Sequence, residues 1–280
     1  MSEVNKRTHR FDAEAVVLSG QLVLPVSQKI EPQAYSKLPE KGGYFNQRSD
    51  SFQIGTVLSF RAAYSHVSGS RSLKPGGGWN TLTTTVVEGL NVMEVLTADR
   101  VVGQTITEHP LVGYVPTISF LGTRFENLRI AGYPVELEFD YNIIGQKPAD
   151  DAPYTHDAGL ISRVARQYDR IGSHKDLPAA LAERYNRLSP TLGTSEAVEC
   201  SLVNQASGLY PGSSFGNVIT IPSFGTITLA KLTVKHEKPH EKTKIPKKTT
   251  FTLTMIDLKL GCAIEADIPV GNGGSNGEGG

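Results

Sequence analysis

The sequence predicts a mainly β fold, an antiparallel sandwich or distorted barrel with a two-helix insertion, and three observations carry that reading. Short runs of Val, Ile, Leu, Phe, Tyr and Thr fill residues 11–141 and return from 196 to about 264. Turn residues punctuate these runs at short intervals, as in sandwiches and barrels. Between residues 157 and 188 the apolar spacing changes to the helical value.

Residues 11–24 read as a strand pair broken near Ser19-Gly20. Residues 25–50 form a long connection marked by Pro32, Pro39 and Gly42-Gly43. Strand character returns over 52–67, followed by a loop at 68–80 built on Pro75-Gly76-Gly77-Gly78. Proline fixes φ there, and glycine supplies the positive φ that a reversal needs. Short strands are expected at 81–87, 92–98, 101–108, 115–120, 125–131 and 135–141. Turn signals separate them at Glu88-Gly89, Asp99-Arg100, His109-Pro110, Leu121-Gly122 and Gly132-Tyr133-Pro134. In 135–141, Val135, Leu137, Phe139 and Tyr141 share one face and Glu136, Glu138 and Asp140 the other. Such a carboxylate row suits a solvated outer face, and less often a hard cation.

Leu160, Ile161, Val164 and Tyr168 recur at helical spacing behind Asp157, a natural N-cap. Asp176 as the cap, with Pro178 inside the first turn, signals a second helix start, and Leu181, Tyr185 and Leu188 give it an apolar stripe. Packing of both helices on a sheet face is expected. Strands resume at 197–204, 217–221, 226–235 and 249–261. In the last, Phe251, Leu253 and Met255 share one parity and Ile256, Leu258 and Leu260 the other. That switch means a bulge near Met255 or a strand buried on both faces. The lysine-rich link 235–248 reads as a solvated loop. Residues 1–10 read as a flexible N-terminus, and the Gly/Asn/Ser tail 269–280 as disordered. One β domain is expected from 11–145 plus 195–268, with 155–190 inserted.

Composition excludes several functions. With 28 basic and 28 acidic residues the net charge is zero, so no overall attraction to nucleic acid is expected. No apolar run reaches the roughly 18 residues of a membrane helix. The polar start lacks a signal-peptide core, so the chain as written is expected in the cytoplasm, with another export route left open. Cys200 and Cys262 sit in apolar segments and read as two buried thiols, with a disulfide as the lesser alternative.

Chemistry is sparse. Gly212-Ser213-Ser214-Phe215-Gly216 has the G-x-S-x-G spelling of a hydrolase elbow without its strand–turn–helix context. Seven scattered histidines form no zinc pattern, and no cofactor or metal is expected. The best acid–base candidate is His109 with Asp99 or Glu108. Trp79, Tyr44, Tyr114 and Tyr133 lie in or beside loops and could stack on a carbohydrate or small apolar ligand. The favoured reading is a non-enzymatic structural or interaction protein whose partner is a second copy of itself. A carbohydrate or small-ligand binding module and a hydrolase-like enzyme on a β scaffold are the alternatives.

Several phrases resemble an uncharacterised bacterial β-rich family: Phe11-Asp12-Ala13-Glu14-Ala15, Val86-Val87-Glu88-Gly89-Leu90-Asn91-Val92, Thr97-Ala98-Asp99-Arg100-Val101 and residues 120–128. Val198-Glu199-Cys200-Ser201-Leu202-Val203 and Phe215-Gly216-Asn217-Val218-Ile219 extend the likeness over most of the chain. More distantly, Thr97-Ala98-Asp99, the segment 125–132 and the Pro222-Ser223-Phe224-Gly225 hairpin resemble bacterial choice-of-anchor P proteins. Those proteins are typically exported and their role is not established. This chain differs in showing no signal peptide and in carrying the helical insertion. The resemblance supplies no catalytic residue.

Overall fold

Alternating burial of Phe11, Ala13, Ala15 and Val17 builds the first strand, β1 (His9–Leu22). We describe a computed structural model covering residues 9–23, 27–113, 115–237, 248–261 and 266–279. The expected break near Ser19-Gly20 is a register shift between Leu18 and Gly20 inside one strand. The strand continues through it because it is paired on both sides.

β2 (Gln28–Lys37) and β3 (Gly43–Ser49) occupy the segment expected to be a connection. Short β4 (Phe52–Ile54) and β5 (Leu58–Phe60) precede β6 (Ala62–Arg71). β7 (Trp79–Val92) and β8 (Leu96–His109) form a long hairpin where three short strands were expected. Its turn is made by Met93 and Glu94 at φ +53° and +57°, with Asn91 Oδ1 accepting from the Glu94 amide at 2.8 Å. Glu88-Gly89 and Asp99-Arg100 are not turns but an interruption within that ladder, where Gly89 takes φ +64°. β9 (Thr117–Ser119), β10 (Arg124–Glu126), β11 (Arg129–Ile130), β12 (Tyr133–Pro134) and β13 (Glu136–Phe139) follow. Glu136 and Glu138 are exposed. Among the described residues no group of three or more His, Cys, Asp or Glu could hold a metal.

α1 (Ala158–Gly172) starts where the Asp157 carboxylate accepts from the Leu160 amide at 2.7 Å. α2 (Ala179–Leu188) starts differently from expectation: Asp176 makes no cap, and the Pro178 carbonyl accepts from Leu181 and Ala182. Neither helix is long and apolar enough to cross a membrane. β14 (Ala197–Ser201), β15 (Val203–Ser207), β16 (Ser213–Phe215), β17 (Val218–Ile221), β18 (Gly225–His236), β19 (Thr249–Leu260) and β20 (Ala266–Gly279) complete the chain.

The first sheet runs β16-β17-β18-β19-β20-β1-β2, with β14 also on β18. The second runs β12-β11-β8-β7-β5-β4, with β9 and β10 on β8, β6 on β7 and β3 on β6. β13 and β15 form a separate pair. All strand pairings are antiparallel and neither sheet closes on itself, so the molecule is a sandwich and not a barrel. One core joins Val17 and Ile30 to Val87, Leu90, Val101, Leu253 and Met255, uniting strands from both sides of the helical insertion. The helices cover the other face of the first sheet. There Tyr168 Oη donates to the Glu199 carbonyl at 2.5 Å, and Gln167 bridges to Ser201. β19 is therefore buried on both faces from Thr254 to Leu258, which accounts for its parity switch. No residue is inserted at Met255, although Ala230 opposite it takes φ +46°.

The tail expected to be disordered is instead β20, seated between β19 and β1. Its glycines need bury no side chain, because ladder bonds on both edges satisfy the main chain. Their lack of Cβ also admits the second sheet: a Cβ on Gly273 would sit 3.1 Å from Thr83 Oγ1. His9 and Arg10, expected to be flexible, open β1, while residues 1–8 lie outside the described residues. Most of the lysine-rich link lies outside them too. Cys200 is buried and free, and burial pushes its thiol well above its ordinary range. Cys262, its expected alternative partner, lies outside the described residues.

His236 ends β18 almost buried, with Nδ1 3.0 Å from Thr249 Oγ1. Burial, and secondarily His156, lowers its pKa. A base with a depressed folded pKa takes up more protons when unfolded. Its contribution is complete above the ordinary value of about 6.5 and is lost as pH falls toward the folded value. Thermal melts are expected to be flat between about pH 7 and 8 and to fall below about pH 6. His236→Gln should flatten that slope; an unchanged slope would rule His236 out as its source.

Candidate interaction edge

The acid–base candidates do not converge. Asp99 and His109 are ten residues apart on β8, about 33 Å along a strand. Asp99 instead accepts from Asn127 Nδ2 at 2.6 Å. Glu108 and His109 are consecutive, so their side chains leave opposite faces of the sheet. Glu108 is partly exposed, 3.9 Å from Lys74, while His109 is buried. Ser214, in the hydrolase-like string, lies in β16 and donates to the Ala206 carbonyl at 2.6 Å, which is a strand contact and not a nucleophile elbow.

His109 belongs to a ring cluster. The His9 ring lies 4.7 Å from it, stacks on Trp79 at 4.9 Å and meets Phe11 edge-on at 4.6 Å. Trp79 is the cross-strand partner of His109 and packs on a small core of Phe11, Ala13, Ala15, Leu38 and Val67. The cluster plugs one end of the sandwich. Tyr133, half exposed, is held near the opposite end of β8, because its partner Ile130 pairs with Leu96. Tyr44 lies on β3, and Tyr114 is outside the described residues. The aromatic candidates therefore share no single platform.

Tyr44 leads to the most distinctive surface. β3 reads Gly-Tyr-Phe-Asn-Gln-Arg-Ser, and every residue from Gly43 to Arg48 is exposed. Tyr44 is 68 % and Phe45 41 % accessible, high for large apolar rings. Among the described residues its main-chain ladder is with β6 alone, while β2 runs close by and Ser49 Oγ at the end of β3 donates to Gln33 Oε1 on β2 at 3.0 Å. The local cause is Gly42, at φ +82°. A Cβ there would lie 2.6 Å from the Gly69 carbonyl and 2.7 Å from the Phe11 ring. That close turn carries the strand past the core. On its outer face the Tyr44 ring lies 4.4 Å from His66, Asn46 Nδ2 donates to Tyr44 Oη at 3.1 Å, and the Arg48 guanidinium lies 5.3 Å from the Tyr64 ring. Burial lowers the His66 pKa.

The contrast with β2 is informative. That edge strand carries Lys29, Glu31, Pro32 and Lys37, the charges and proline that blunt a sheet edge. β3 has no proline, lysine or carboxylate, and Arg48 is its single charge.

These features define a two-sheet antiparallel β protein with helices over one outer face and an exposed strand, β3, that is laddered on one side among the described residues. The chain belongs to the DUF8256 family, a domain of unknown function, whose model matches residues 9–235. The match runs from β1 through most of β18 and includes both helices and β3. No curated protein matches the chain, and no solved structure matches it.

Proposed function

We propose that this protein is a non-enzymatic interaction protein that self-associates by antiparallel pairing of β3 with β3 of a second copy. The exposed, one-sided β3 carries this reading. An open edge offers a row of main-chain donors and acceptors to another strand. The sequence of β3 is self-complementary about Asn46. In two-fold pairing centred there, Tyr44 of one copy faces Arg48 of the other, and Phe45 faces Gln47. Arg48 over Tyr64 already uses the same cation–ring chemistry within the chain. Zero net charge removes the long-range repulsion that would oppose such a pair.

Lysine on a strand edge blocks pairing. Phe45→Lys is expected to weaken self-association by about tenfold or more while leaving the fold intact, because that ring is already exposed. Sedimentation equilibrium on wild type and variant measures it. Equal association constants would refute the β3 assignment.

A further inference from the structure

Helix α1 places Arg163, Arg166 and Arg170 at i, i+3 and i+7, along one stripe. They line a cleft of about 150 Å³ with Asp140, Ile143, Gln167 and Asn204. Like charges at this spacing repel and destabilise a helix. One carboxylate faces three guanidiniums, and none of the three makes an ion pair among the described residues.

The cleft is built and not merely charged. Arg163 is fixed by donating from Nε to the Ile143 carbonyl at 2.6 Å and from Nη2 to Ile144 at 2.7 Å. Gln167 is buried; its amide donates to the Ser201 carbonyl at 2.8 Å and to Asn204 Oδ1 at 3.2 Å. Asn204 is thereby oriented with its Nδ2 left to donate. Arg170 Nη1 donates to the Asn204 carbonyl at 3.3 Å, and Arg166 Nε to Ser162 at 3.4 Å. Each guanidinium carries five N–H donors, so most remain available.

We propose that this cleft binds a small phosphate dianion, free or as the head of a phosphate monoester. Arg166 and Arg170 supply the fork geometry that matches phosphate oxygens, while Arg163 forms the fixed wall. A chain of zero net charge lacks the broad basic surface that a nucleic acid requires.

Calorimetric titration of the full chain at low salt with inorganic phosphate and with glycerol phosphate tests this. Binding of either is expected, and the tighter probe identifies the source. Arg166→Gln with Arg170→Gln should weaken binding about tenfold or more. Asp140→Asn should tighten it by removing the one opposing charge, while its amide oxygen still accepts from Asn142. Amide spectra of the wild-type chain provide a readout independent of these variants: phosphate should shift the side-chain signals of Asn204 and Gln167. No heat with either probe up to about 10 mM, unshifted amides, or equal binding by the double variant would overturn the proposal.

Discussion

Replacing Phe251 with alanine is expected to cost about 3–5 kcal/mol of stability. The side chain is fully buried, and its ring meets Tyr154 edge-on at 5.5 Å. β19, which carries it, is held between β18 and β20, so the site is poorly able to collapse around a void. Tyr154 cannot readily follow, because its hydroxyl donates to the buried Pro116 carbonyl at 2.9 Å. Denaturant unfolding monitored by circular dichroism gives the difference. A loss below about 1 kcal/mol would mean that this strand does not anchor the core.

The second large effect is expected beneath the helical insertion. Arg184 pairs with Glu199 there, and Lys231 on β18 pairs with Asp257 on β19, whose side chain is 8 % exposed. Tyr168 and Tyr185 close over this polar layer, and burial raises the Tyr185 pKa to about 12. Asp257→Ala strands the Lys231 ammonium without its partner, at about 3–5 kcal/mol. Replacing both residues with apolar side chains of similar volume should be far milder, since the desolvation of both charges is then avoided. A double-mutant cycle separates the two effects. If the double replacement were as damaging as Asp257→Ala, packing and not an unpaired charge would be the cause.

How much of this was legible follows from where the physics is local. Asp157 and the Leu160, Val164 and Tyr168 spacing write α1 into the sequence, because a cap and a 3.6-residue period are short-range properties. The parity switch at Met255 narrowed β19 to a bulge or a strand covered on both faces, and the structure has the second. The β7–β8 hairpin was illegible because its turn uses Met93 and Glu94, which carry no turn signal. The usual markers at Glu88-Gly89 were absorbed inside the ladder. β20 was hidden for a related reason: a glycine-rich strand takes its stability from neighbours on both edges, and composition does not show neighbours.

The functional surfaces divide the same way. Asp99 and His109 looked close in sequence, but on one extended strand ten residues are a molecular diameter. That β3 is laddered on one side alone among the described residues is a property of topology, since nothing in Gly-Tyr-Phe-Asn-Gln-Arg-Ser says which of its edges will pair. The arginine stripe on α1 went unremarked in the sequence, although its i, i+3, i+7 spacing was there to find. Its meaning appeared only when the fold brought Asp140 and Asn204 opposite.

Self-association through β3 is the central claim, and size-exclusion chromatography with light scattering across a concentration series tests it most directly. The account predicts a mass rising toward twice that of the chain, and a return to a single chain when Tyr44 and Phe45 are both changed to lysine. A chain that stays monomeric at every concentration, or a dimer indifferent to those lysines, would contradict it.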